Sequence, residues 1–251
     1  MNQLGDSKRL RWNQVICGVA LVVLCAWCFV WYFEPLLKAR LLLGKEPLIL
    51  QTPSELPDKT ISTAPGMSLS YLGYSFEVPW VDIEREKMTT RPNMVIVPFR
   101  SGSLIWLSVY PTRYTLNILT RSSADFCAIV GNAACESDYE FENLALRTRP
   151  DELGWFKSRT HNARAFSLLL MKTVDLYGSG RSEIFSVESK EFKGFQFGAF
   201  STNGGAIDEL YSNGGKVKLM FGGKSGRITQ SEINRIVQTL HQTRVNPIAA
   251  N

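Results

Sequence analysis

"VICGVALVVLCAWCFVWYF", residues 15–33, is a run of 19 residues without a charged side chain. At helical rise that run reaches roughly 28 Å, close to the hydrocarbon thickness of a bilayer. A buried helix of a soluble protein normally keeps a polar stripe, and this stretch has none. It reads as a membrane-spanning helix. A cleaved signal peptide would have a shorter apolar core ending in a small-x-small site, whereas this run ends in Trp31, Tyr32 and Phe33. Those residues suit a headgroup-level aromatic belt, with Trp12 at the other end. Leu24, Trp27 and Ile16 precede Cys25, Cys28 and Cys17, and none is the small residue that a lipid-modified cysteine requires. The segment is therefore an uncleaved anchor.

Lys8, Arg9 and Arg11 on one side of the span are matched by Lys38, Arg40 and Lys45 on the other, so the positive-inside rule leaves the orientation nearly balanced. The free amino terminus tips the balance, because long downstream domains translocate largely regardless of charge. The expectation is a single pass through the inner (cytoplasmic) membrane of a bacterium. Residues 1–14 form a cytoplasmic tail, 15–33 the anchor, and the large domain is extracytoplasmic. No Asn-x-Ser/Thr sequon occurs, which argues against eukaryotic secretion.

Of the 28 Lys and Arg, six fall in residues 1–50 against three acids, and the remaining 22 face 20 acids. The basic character thus belongs mostly to the anchor's flanks, where it suits anionic headgroups. No clustered Lys/Arg run with interleaved aromatics appears, so nucleic acid is not an expected partner.

Residues 34–66 form an interfacial segment and linker. Leu36, Leu37, Leu41, Leu42 and Leu43 surround Lys38 and Arg40, which suits a stretch in the membrane interface or a continuation of the spanning helix. Pro53, Pro57 and Pro65, among Ser, Thr and Asp, mark the linker.

From 67 to 243 the pattern is that of one globular domain, followed by a tail at 244–251. "SLSYLGYSFEVP" has strand composition. Three hairpins are expected: "NMVIVPF" with "LIWLSVYP", "EIFSVES" with "FKGFQFGAF", and "AIDELYS" with "KVKLMF" across Asn213-Gly214-Gly215. A helix is expected from Ser122 or Ser123 to Gly131. Another, in "ARAFSLLLMKTVDL", would place Phe166, Leu169, Leu170 and Val174 on one side. A last helix opens with the capping-box pair Thr229 and Glu232 and carries Ile233, Ile236, Val237 and Leu240 on one face. The fold class is α+β: an antiparallel sheet flanked by helices and preceded by one transmembrane helix.

Little of this resembles catalytic machinery. "FGGKSGRITQSE" looks like a phosphate loop, but counting back from Gly223-Lys224-Ser225 puts Lys218 where the first glycine is required. No nucleotide is expected at Lys224 and Ser225. With only His161 and His241 there is no metal-ligand spacing and no cofactor is implied. His161 reads as a surface or capping residue and His241 as a cation near a helix C-terminus. Glu84 and Glu86 sit in "DIEREK", a solvated loop. Phe195 and Phe197 point to one face of a strand whose other face Gly194 and Gly198 flatten; that face is either an aromatic floor for a ligand or a core face against a helix.

Three cysteines, Cys17, Cys25 and Cys28, lie in the anchor as small apolar side chains. Cys127 and Cys135 remain as a pair, with Gly131-Asn132 between them able to end a helix and turn the chain back. They form a disulfide if the domain is extracytoplasmic, or two buried thiols in a reducing cytoplasm.

"LGYSFEVPW", residues 72–80, resembles the opening strand motif of the PsbP-like superfamily, which includes bacterial DcrB-like lipoproteins. The order of strands, central helices, further strands and a capped final helix is similar over residues 67–243. The resemblance implies an accessory or binding module and carries over no functional residue. The functional expectation is a non-catalytic, membrane-anchored module that binds a protein partner or small ligand. The alternatives are an envelope hydrolase using carboxylates or His161, and an assembly subunit whose anchor packs on other helices.

Overall fold

The structure, a computed structural model, describes residues 3–42, 50–122, 125–179, 183–198, 205–223 and 228–243; of 3–20 it describes the backbone alone. Lys224 and Ser225 lie outside the described residues.

The apolar run folds as part of one helix, α1, Gln3–Leu42, with Pro35 inside it. Leu21–Ala39 within it is long and apolar enough to cross a membrane. Leu21, Val22, Val23, Leu24, Trp27, Phe29, Val30 and Trp31 are exposed, and the free thiols of Cys25 and Cys28 lie among them. From Pro35 onward the helix becomes part of the folded domain, with Leu36 and Ala39 buried.

The domain is α+β. Its main sheet has eight strands in the order β1-β7-β8-β9-β10-β6-β5-β4, where β1 is Ser54–Glu55, β4 Thr89–Arg91, β5 Met94–Pro98, β6 Leu104–Tyr110, β7 Ile184–Glu188, β8 Lys193–Phe197, β9 Ala206–Ser212 and β10 Gly215–Gly222. Two antiparallel meanders, 4-5-6 and 7-8-9-10, meet where β6 pairs antiparallel with β10. Only β1 pairs parallel, on β7. The helices inserted between the meanders are α2 (Tyr114–Ser122), α3 (Phe126–Val130), α4 (Asp138–Arg147) and α5 (Arg159–Ser179). A three-stranded sheet, β11-β3-β2, is built from His241–Gln242, Tyr74–Val78 and Met67–Tyr71.

The three expected hairpins form with those pairings. "SLSYLGYSFEVP" is more than one strand. β2 and β3 turn back through Leu72 and Gly73, whose φ values of 54° and 82° supply the twist of a tight two-residue hairpin. Gly215, at φ 125°, closes the β9–β10 turn where a Cβ would collide with the Tyr110 carbonyl.

Strand alternation gives the main sheet two unlike faces. Val95, Val97, Ile105, Leu107, Val109, Leu210, Val217, Leu219 and Phe221 form one core with Tyr74, Phe76 and Val78 of β3 and with helix α6, Gln230–Thr239. That helix buries Ile233, Ile236 and Val237, and Leu240 just beyond it is buried too. Its capping box is made: Glu232 Oε2 accepts from Thr229 N at 2.7 Å. On the opposite face Phe195, Phe197, Ile207 and Tyr211 pack against Tyr139 and Leu146 of α4.

Three expectations need correction. α5 buries Ala165, Leu168, Leu169 and Lys172, while Leu170 and Val174 on the expected face are exposed. The reason is the position of its partners: α5 packs against α1, α3 and α4, so several neighbours, not one apolar stripe, decide which residues are covered. His241 lies past the last helical turn, in β11, with Nδ1 3.0 Å from the Thr239 carbonyl. Finally, the stretch read as a linker is a bound strap. Asn234 Nδ2, from α6, donates to the carbonyls of Asp58 and Thr60, both at 2.8 Å; Ser62 N donates to Ser231 O at 3.0 Å, and Leu56 is buried.

The helix expected from Ser122 or Ser123 to Gly131 is shorter: Ser122 ends α2, Ser123 lies outside the described residues, and α3 begins at Phe126 and stops at Gly131 (φ 101°). Cys127 and Cys135 are joined there, their Cα atoms 5.8 Å apart.

Candidate functional site

Two clefts adjoin at Tyr139 and Lys193. The first, about 400 Å³, lies between the β6–α2 turn (Thr112, Arg113), the start of α4 (Ser137, Tyr139), the β7–β8 turn (Glu188, Lys190, Phe192) and the β9–β10 turn (Asn213). The second, about 420 Å³, lies between the strap (Glu55, Leu56, Ile61), β7–β8 and α6 (Asn234, Gln238). Tyr139, Glu188 and Lys193 line both. Each volume is in the range of small-ligand sites.

Local folding places the dividing residues. Ser137 caps α4 by accepting from Glu140 N at 3.1 Å, which sets Tyr139 in the first turn, over the sheet. The Tyr139 ring stacks parallel on Phe195 at 5.6 Å, and Lys193 Nζ stands 4.0 Å over it while bonding Glu140 at 3.1 Å. Asp138, which also faces the first cleft, is committed elsewhere: its carboxylate accepts from Thr115 N (3.2 Å) and Leu116 N (3.0 Å), capping α2. Arg113, at the mouth, holds φ 59°, an uncommon conformation for a side-chain-bearing residue.

Behind Tyr211, which lines the first cleft, lies a buried charge network. The Tyr211 hydroxyl donates to Glu142; Lys216 pairs with Glu209 and lies 3.6 Å from Glu142, and Lys218 bonds Glu209 at 2.8 Å. Burial alone would raise the Glu209 pKa, but Lys216 and Lys218 together outweigh it and hold the carboxyl well below its usual range. A carboxylate so stabilised is a poor proton acceptor. The network ties Tyr211 to Glu142 of α4.

Arg113 and Lys190 have no ion-pair partner among the described residues, and neither does Glu188. The cleft can thus offer cations and a carboxylate, over a tyrosine, to a ligand carrying both signs of charge.

The residues singled out from sequence sit elsewhere. Phe195 and Phe197 are buried in the core beneath α4 and line neither cleft; Gly194 permits the close approach of the Glu209 carbonyl, with which a Cβ would collide. His161 lies at the start of α5 with Nε2 2.9 Å from the Glu152 carbonyl, away from both clefts. Glu84 and Glu86 flank and enter a short 3-10 turn, Arg85–Lys87. Among the described residues no three His, Cys, Asp or Glu gather as a metal site. Tyr139, Lys193, Arg113 and Lys190 escaped sequence reasoning. The signal that could have found Tyr139 is Ser137-x-x-Glu140, a helix-start pattern ahead of Phe141, Leu144 and Ala145.

No family model, no curated protein and no solved structure matches the chain.

Proposed function

We propose that the protein is a single-pass, membrane-anchored module of a bacterial envelope, with its domain extracytoplasmic, that binds a segment of a partner protein or a small ligand in the paired clefts around Tyr139 and Lys193. The observation that carries this reading is the continuity of α1: one helix runs from an exposed apolar stretch into the packed domain. Such a helix fixes the domain at the membrane, as a module presenting a cleft to a neighbour requires. Glu34, paired with Lys38 at 2.7 Å and with Arg159 at 3.1 Å, supports a hydrocarbon segment that ends near Phe33.

The joined Cys127 and Cys135 support an oxidising compartment. The PsbP-like resemblance fits the same reading: β3 runs into Pro79 and Trp80, and the Trp80 indole donates to Glu232 of the α6 cap at 3.2 Å, so the motif ties the small sheet to the closing helix.

Two measurements test it. Alkylation of denatured protein taken rapidly from cells should label Cys127 and Cys135 only after reduction; free thiols would place the domain in the cytoplasm. Reversing the cleft's cations with Arg113→Glu and Lys190→Glu should leave protein level and melting temperature unchanged and fail to complement a deletion strain. Full complementation would move the binding site out of these clefts.

A further inference from the structure

Phe156 is 103% exposed and its neighbour Trp155 is 39% exposed, in the turn at 154–157 that precedes α5. An aromatic pair left in water on a floppy loop would need no account, but this turn is built. Asn162, fully buried, accepts from Gly154 N at 3.1 Å and donates to the carbonyls of Gly154 (3.0 Å) and Lys157 (3.4 Å). His161 Nε2 stands against the Glu152 carbonyl, and Ser158 Oγ accepts from His161 N at 3.1 Å. The side chains of Trp155 and Phe156 are thereby held outward.

The turn also has a fixed level along α1. Tyr32 donates its hydroxyl to the Lys157 carbonyl at 3.2 Å, and the Phe33 and Trp155 rings are 4.9 Å apart. Arg159 Nε donates to the Trp31 carbonyl at 2.9 Å, with its guanidinium 4.2 Å over the Trp31 ring. The turn therefore sits beside the end of the apolar run, where Trp31, Tyr32 and Phe33 give way to Glu34. That is the level at which amphipathic aromatic rings meet headgroups.

We propose that the turn at 154–157 inserts Trp155 and Phe156 into the headgroup layer of the membrane that α1 crosses, so that the domain rests on the lipid surface. The exposed Lys157 then faces lipid phosphates. The inference depends on α1 spanning the membrane. The occupant is lipid because the adjoining helix brings that surface to the turn, and because the exposed aromatics are continuous with the belt residues of the span.

The test uses the full-length protein with Cys17, Cys25 and Cys28 changed to Ala, reconstituted in vesicles of phosphatidylcholine and phosphatidylglycerol. It carries single nitroxides at Phe156→Cys, at Val23→Cys within the span, or at Lys87→Cys as the aqueous reference. Collisions with oxygen relative to a water-soluble nickel chelate should be several-fold higher at 156 than at 87, and highest at 23. A label at 156 as open to nickel as that at 87, with 23 in lipid, overturns the docking and leaves the anchor standing. A label at 23 open to nickel overturns the anchor itself. Spin–spin broadening at 156 that unlabelled protein dilutes away would show a second copy on the turn and also sinks the proposal. As a second variant, Phe156→Asp should shift a nitroxide at Lys157→Cys toward water; no shift counts against lipid insertion.

Discussion

Asp208 and Glu209 are adjacent on β9, and the pleat sends them to opposite faces of the sheet. Glu209 enters the network of Lys216, Lys218, Glu142 and Tyr211, and its carboxyl is held ionised. Asp208 enters the apolar core beside Leu219, directly opposite Gln196, which instead bonds Gln230 and the Gly198 carbonyl. Neither Asp208 oxygen has a hydrogen-bond partner among the described residues, and burial raises its pKa well above the ordinary value. Two carboxylates one residue apart thus have their pKa values pushed in opposite directions because of what faces them, not because of what they are.

The most disruptive way to break this contrast is Lys216→Met. It removes from a nearly dry site the cation that Glu142 and Glu209 share. Removing one member of a buried charge cluster costs about 3–5 kcal/mol, which thermal unfolding of the detergent-solubilised protein will read. Adding Glu209→Gln should recover much of that loss; no recovery would mean that Lys216 acts by packing.

Asp208→Val should instead stabilise, by about 1–3 kcal/mol at neutral pH, because it removes an unsatisfied buried group from a strand position that accepts β-branched residues. The pH dependence sharpens the comparison. Asp208 has a folded pKa above its unfolded value near 3.8, so the folded state holds the extra proton and stability falls as pH rises above about 4. Glu209 has a folded pKa below 4.5, so its contribution is present above that pH and lost as pH falls through it. Asp208→Val should flatten the alkaline side of the stability profile, and Glu209→Gln the acid side. Equal profiles for both variants would erase the distinction between the faces.

At the rim the effect should be smallest. The Lys193–Glu140 pair is about half exposed on both sides, and Lys193→Ala should cost about 0.2–1 kcal/mol, most of it lost in high salt. A larger loss would show that the Tyr139 stack depends on the cation above it.

The contrast also marks what could be read from residues alone. The Asn213-Gly214-Gly215 turn and the Thr229–Glu232 box are local chemistry, and each produced the element expected. The fate of "DE" at 208–209 is not local: β9 is covered on both faces, so no alternation of apolar and polar residues reveals which side is which. α4 was missed because its buried positions include Asp138 and Glu142, polar residues whose partners come from α2 and β9. Lys172 is a third case. It is fully buried with Nζ donating to the Thr148 carbonyl at 3.0 Å, its pKa lowered to about 8 by burial and then by Arg149; its polarity hid it from any apolar stripe drawn on α5. The clefts follow the same pattern, since their walls come from four separated turns that only the joined meanders bring together.

The strap gives the chain a second moor. Because α1 is gripped by Arg159 while residues 54–62 are gripped by β7 and α6, a tug along α1 divides between two routes. One runs through α5 into the helical layer. The other passes through the parallel β1–β7 register, where Ser54 and Glu55 lie alongside Phe185 and Ser186 and load the ladder in shear. The domain is therefore braced against torque about α1, as a mast is by a stay.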